Sequence, residues 1–176
     1  MAYDLSRYLY VDGLFAILEF TVGIQQREDH HPEGDVYAHS LQSVAHALRE
    51  TNDTDLIVAA LMHDCGKAIE KDNHEGWSAR LVEPYVSYKT IWLIENHMRV
   101  RRLLDGTIKR TGKVLNLMGH PWLPDLVWLM RFDRLGREPG KVLLTKEQVR
   151  AALGRAISAH FKYNQSRKWK EIENAK

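Results

Sequence analysis

The chain has 176 residues, 44% of them hydrophobic and 27% charged, with a formal net charge of +2. That size supports one substantial core, and no Pro/Gly/Ser-rich linker or low-complexity run divides it, so a single domain over 1–176 is expected. The lone cysteine, Cys65, excludes an intramolecular disulfide and a cysteine-rich zinc module; the best candidate for a membrane or secretory segment, Leu14 to Ile24, contains Glu19, is too short to span, and leaves a cytoplasmic setting expected.

In chain order the sequence reads as helices. Leu14 to Ile24 is taken as a core-facing helix. Asp35 is placed to cap a helix whose Val36, Leu41, Val44, Ala45 and Leu48 form an apolar stripe, with His39 in its early turns. Thr54 is the expected cap of the next helix, where Leu56, Ile57, Ala60 and Leu61 precede the His63-Asp64 pair near its end, and Gly66 then weakens helical structure. Asp72 and Glu75 have the spacing of a capping pair and put His74 in a first turn, with Pro84 marking an irregularity further on. A helix over 91–104 carries His97, and one opening near Pro124 carries Asp133. Thr145 and Gln148 form a T-x-x-Q capping box for the last helix, which is expected to reach about Phe161 and to be followed by a basic tail, the two together spanning 145–176. The expected class is all-α, a helical bundle with less than about a tenth of its residues in strands.

Six residues, His39, His63, Asp64, His74, His97 and Asp133, offer nitrogen and oxygen ligands in the order H…HD…H…H…D. Distributed over five helices, such a set suits one or two divalent ions, with Mn, Fe, Co, Ni and Zn all compatible. Adjacent residues on a helix diverge by about 100°, so His63 and Asp64 share an ion only at the boundary between their directions. Lys67, four residues after His63 and three after Asp64, shares the face of that pair, and Arg101 stands one turn beyond His97. Lys67 is therefore a candidate catalytic and substrate-binding residue beside Asp64, Arg101 a candidate substrate-binding residue, and Arg99 and Arg102 rim residues. A buried histidine is more often a hydrogen-bonded core residue than a ligand, which is the expectation for His30, His31, His46, His120 and His160. Cys65, Trp92, Met98, Trp128 and Met130 are read as packing residues.

Charge is unevenly placed. Residues 1–98 carry 7 Lys/Arg against 16 Asp/Glu, residues 99–113 carry 6 against 1, and residues 137–176 carry 10 against 4. A basic block directly after His97 suits an anionic, phosphorylated substrate, the alternative being a solvated face. The final stretch mixes Lys, Arg and aromatics in a way that suits RNA contact or subunit packing, with no recognised nucleic-acid motif behind it.

LMHDCGK at 61–67 resembles the hydrophobic-hydrophobic-H-D-x-G-K core of the HD-domain superfamily of metal-dependent phosphohydrolases, completed by His39 and Asp133. HPEGDVYAHSL at 31–41 and NHEGWSARLV at 73–82 are similar to the HD domains of bacterial tRNA nucleotidyltransferases, so the core motifs span 31–137. The nucleotidyltransferase head is absent from this sequence, which reads as standalone, and tRNA end addition does not carry over. The resemblance implies an HD-domain helical bundle and hydrolysis of a phosphomonoester or phosphodiester, often of a nucleotide, by metal-activated water. By resemblance to dinuclear members, His39, His63, Asp64 and Asp133 hold one ion, and Asp64 bridges to a second held by His74 and His97. The mixed-valent di-iron oxygenases acting on inositol and organophosphonates resemble the same ligand set. A nucleotide-binding regulatory domain with weak catalysis is the third reading, because fold and ligands do not fix chemistry.

Overall fold

In a computed structural model, which describes residues 5–107 and 111–158, the chain is a bundle of helices around one apolar core. Among the described residues the only β pairing is an isolated bridge between Gln25 and Asp35. The helices are α1 (Leu5–Glu19), α2 (Val36–Glu50), α3 (Thr54–Met62), α4 (His74–Val82), α5 (Tyr88–Leu104), α6 (Thr111–Met118), α7 (Leu123–Leu135) and α8 (146–158). Short 3-10 turns at Cys65–Ala68 and Glu83–Tyr85 link α3 to α4 and α4 to α5, the second carrying Pro84.

The centre of the bundle is α3. From Leu56 to Met62 all its side chains are buried, not only the expected stripe, because α2, α5 and α7 pack around it. A helix apolar on every side belongs inside, and its periodicity is correspondingly weak. The stripe on α2 is as expected, with Val36, Val44 and Ala45 fully buried and Leu41 and Leu48 packed at its border. Trp128 departs from the core expectation: on α7 it turns outward, 42% exposed, with Arg131 stacked over its ring.

Several helix boundaries differ from the sequence expectation, for local reasons. Asp53, not Thr54, caps α3, its carboxylate accepting from the amides of Asp55 and Leu56. Asp72 caps nothing; α4 begins after Asn73, whose side chain makes no cap bond. Helix α5 starts at Tyr88, three residues early, because the Ser87 hydroxyl accepts from the Thr90 amide. Leu14 to Ile24 is helical only to Glu19; the Thr21 hydroxyl donates to the Leu18 carbonyl, and Gly23 takes a φ of 76° that turns the chain back. Asp35 does cap α2, accepting from Ala38, and Thr145 and Gln148 do form the reciprocal box that starts α8. Phe161, His160 and the basic tail lie outside the described residues.

Candidate metal centre

Five helices converge at one end of α3. His39 arrives from the second turn of α2, His63 caps the C-terminus of α3, His74 opens α4, His97 lies on α5 and Asp133 near the end of α7. Asp64 follows His63 in the turn leaving α3, so the pair sits where the helix ends rather than within it. All six side chains are buried.

Their donor atoms form two groups that share Asp64. His39 Nε2 lies 3.1 Å from Asp133 Oδ1, 3.3 Å from His63 Nε2 and 3.7 Å from Asp64 Oδ2, and His63 Nε2 lies 3.6 Å from the same Asp64 oxygen. The other oxygen, Asp64 Oδ1, lies 3.1 Å from His74 Nε2 and 3.7 Å from His97 Nε2, which are 3.3 Å apart. Ligands about 2.1 Å from a tetrahedral ion stand roughly 3.4 Å from one another, so both groups have the spacing of a coordination shell.

The rings are also oriented for it. His63, His74 and His97 each donate from Nδ1 to the carbonyl three residues earlier, Ala60 at 3.1 Å, Lys71 at 2.8 Å and Ile94 at 2.7 Å. His39 Nδ1 faces the Gly136 carbonyl at 2.9 Å and Glu33 Oε1 at 2.7 Å. With the ring proton held at Nδ1, each Nε2 lone pair points inward, the tautomer a metal ligand needs. The donor set, its burial and its tautomers therefore fit divalent metal.

The electrostatics agree. Burial opposes ionisation of Asp64, yet facing His63 and Lys67 hold its carboxyl well below the usual range; Asp133 is held down against burial by His39, with Arg137 adding to the effect. Each carboxylate has a cation nearby, Lys67 Nζ 2.6 Å from Asp64 Oδ2 and Arg137 Nη2 2.8 Å from Asp133 Oδ1. For His39 burial opposes charging, but the Asp133 and Glu33 hydrogen bonds outweigh it and raise the ring to about 9; burial pushes His97 down to about 4. Metal and protons would compete for these lone pairs, so uptake of a metal there would tighten as pH rises toward 9.

Lys67 and Arg101 both line a cavity of about 190 Å³ next to the centre. None of the six donor residues lines it; the Lys67 ammonium stands between. Among the described arginines of that block, Arg102 is turned toward Glu75 at 3.5 Å and Arg99 toward Asn96 at 2.9 Å, while Arg101 lines the cavity with its Nε 3.8 Å from Asp105 Oδ2.

Some neighbours were not singled out from sequence. Glu33 is buried and joins His31 Nδ1, at 2.9 Å, to His39. Burial opposes its ionisation, but bonds from both imidazoles bring it to about 2. His31 is thus a hydrogen-bonded buried residue, as expected, but one in edge contact with His39 and lining the cavity. The HPEGD run held the signal for Glu33, in an irregular loop where no periodicity marks a facing residue. His120, stacked on Trp92 at 3.7 Å, and His30, on the surface, stand apart from the donor groups. Cys65 is buried packing, its thiol pushed up to about 12 by burial.

The HD-domain family model matches residues 36–167, 132 of the 176. The chain belongs to the HD-domain family. All six donor residues, Lys67 and Arg101 fall within the match, and membership places this HD domain in a superfamily of metal-dependent hydrolases. It is similar to the multifunctional CCA protein of Burkholderia multivorans, 37% identical over 81 residues, and to that of Paraburkholderia phytofirmans, 36% identical over 81 residues. Each alignment covers 42% of this chain and 18% of the relative, so the chain spans less than a fifth of the length of the curated relatives it matches. The resemblance to HD domains of tRNA nucleotidyltransferases is borne out at that partial coverage. Among the described residues no helix is long and apolar enough to cross a membrane.

Proposed function

We propose that this HD domain is a metal-dependent phosphohydrolase acting on a small phosphomonoester or phosphodiester, of nucleotide type. The observation that carries the reading is the division of Asp64, one carboxylate oxygen turned to His39 and His63, which also face Asp133, the other to His74 and His97. The first four residues would hold one divalent ion and the last two, with Asp64, a second. Bound there, the ions supply Lewis acidity toward phosphoryl oxygens and activate water at neutral pH. Lys67 keeps Asp64 ionised and presents its ammonium at the cavity, where with Arg101 it offsets charge developing on the transferred phosphoryl group. The nucleotide character draws support from the likeness to CCA proteins and the basic lining of the cavity. RNA contact through the tail has composition alone behind it, and cytoplasmic residence is part of the same proposal.

Hydrolysis consumes water and leaves the metal's oxidation state unchanged. Mn-loaded protein is expected to release phosphate, or to cleave a diester, from some member of a nucleotide panel under strict exclusion of oxygen. Turnover that requires iron and consumes dioxygen would instead identify an oxygenase; binding of nucleotide without turnover would identify a regulatory domain.

Metal count tests the two-group geometry. Saturated wild-type protein is expected to carry two ions per chain by elemental analysis, and the His74→Ala, His97→Ala double variant one. An unchanged count would strike both residues from the ligand set.

Arg101 is expected to act on substrate alone. Arg101→Ala should keep full metal content while kcat/KM falls by roughly 10- to 100-fold, the loss of one charge-assisted phosphate contact worth about 1.5–3 kcal/mol. Wild-type kinetics would return the basic block to an ordinary solvated surface.

A further inference from the structure

Between α1 and α2 the chain doubles back on itself, with the Val36 amide donating to the Ile24 carbonyl at 3.1 Å and the Gln26 amide to Gly34 at 3.4 Å. This places Gln26, ten residues upstream of the family match, against a residue far along the chain: its Oε1 accepts from Lys67 Nζ at 2.6 Å, and the same ammonium bonds Asp64 Oδ2 at 2.6 Å. An ammonium has no lone pair, so the carboxamide must present oxygen to it, which fixes the opposite end as the NH2 group. That atom, Gln26 Nε2, is buried and has no hydrogen-bond partner among the described residues. Gln26 lines the cavity together with Lys67, Lys71, Arg101 and Arg27, and among the described residues no Asp or Glu lines it. Of these cations Arg27 is committed to Asp29 at 2.6 Å and Arg101 stands 3.8 Å from exposed Asp105, whereas Lys71 donates to a neutral carbonyl, that of Gln25. A buried donor without an acceptor is costly unless a ligand supplies one, and in a cavity walled by cations the fitting acceptor is an anionic oxygen.

We propose that Gln26 is a substrate-binding residue that works in two directions: its oxygen holds the Lys67 ammonium against Asp64, and its NH2 group donates to a phosphate oxygen of the substrate in the cavity. This deepens the phosphohydrolase reading by adding a neutral donor, from a segment outside the family match, to the cationic wall. The bound group is a phosphate whose oxygens reach both Lys67 and Gln26.

The test uses full-length, metal-loaded protein and inorganic phosphate as the probe, with binding measured by titration calorimetry. Gln26→Glu keeps an acceptor for Lys67 but has no NH2 group; Gln26→Met keeps neutrality and similar length but has neither. The property both lack is the donor. Both are expected to bind phosphate about 10- to 100-fold more weakly than wild type, with metal content unchanged in Gln26→Glu. Wild-type affinity in either folded variant, or no phosphate binding by the wild-type protein, would overturn the proposal. Should Gln26→Glu melt as an unfolded chain, the phosphate affinity of Gln26→Met decides alone. Failure of the hydrolase reading shows elsewhere, as a wild-type protein that binds phosphate and turns over no phosphoester.

Discussion

Asp64→Asn is expected to lose metal from both groups at once and to abolish turnover. The side chain keeps its shape and burial, but an amide offers one oxygen where the carboxylate offers two, and its NH2 group can ligate nothing. Whichever way the amide sits, one group loses its shared ligand, and both lose the negative charge that stands 2.6 Å from Lys67 and faces four imidazoles. Changes even in the outer partners of metal ligands weaken binding about 10- to 100-fold, and loss of a bridging carboxylate should exceed that. If Lewis acidity contributes about 4 kcal/mol, kcat falls roughly a thousandfold. Elemental analysis beside steady-state kinetics checks both parts, with Asp133→Asn as the contrast, since it should spare the ion at His74 and His97. A fully loaded, active Asp64→Asn protein would refute the shared-ligand geometry.

Gly66→Ala is expected to be among the most damaging small-residue changes in the chain. Gly66 lies in the 3-10 turn after Asp64, and its amide donates to the Ser78 hydroxyl at 2.7 Å. A methyl group there would collide with the His74 carbonyl oxygen and stand 2.5 Å from the Ser78 amide nitrogen, and neither is the yielding end of a flexible side chain. Relief requires α4 to move off the turn. Overpacking of this kind costs about 3 kcal/mol, and for a domain of this size that lowers Tm by roughly 6–12 °C. Because the shift carries His74 away from Asp64, the folded fraction should also lose the second ion while keeping the first. Calorimetric melting and metal content measured together test this; a Tm within about 2 °C of wild type would mean that the turn and α4 separate freely.

What could be read in the sequence follows from what each element does locally. His39, His74, His97 and Asp133 each ride a helix with an apolar face or a start signal, and the spacing of Lys67 from Asp64 is short enough for geometry to follow from the turn alone. The family motif, rather than periodicity, supplied the grouping into two sets around Asp64. Gln26 and Glu33 escaped because their placement depends on pairings between 24–26 and 34–36 and on contacts made across tens of residues, such as that of Gln26 with Lys67. Boundaries shifted where two capping residues stood side by side: Asp53 beside Thr54, where the carboxylate reaches two amides. The outward turn of Trp128 was illegible since a tryptophan marks an apolar surface without saying whether protein or solvent covers it.

The donors are spread over five helices and the turn after α3, across 95 residues from His39 to Asp133. Under the proposed ligation an ion at this point is a cross-link, closing several long loops that the unfolded chain leaves open. Ions bound at a thousand times their dissociation constant would add about 4 kcal/mol to the folded state. The durability of this bundle then tracks the free metal concentration around it, and a shortage of metal would lower its stability along with its chemistry.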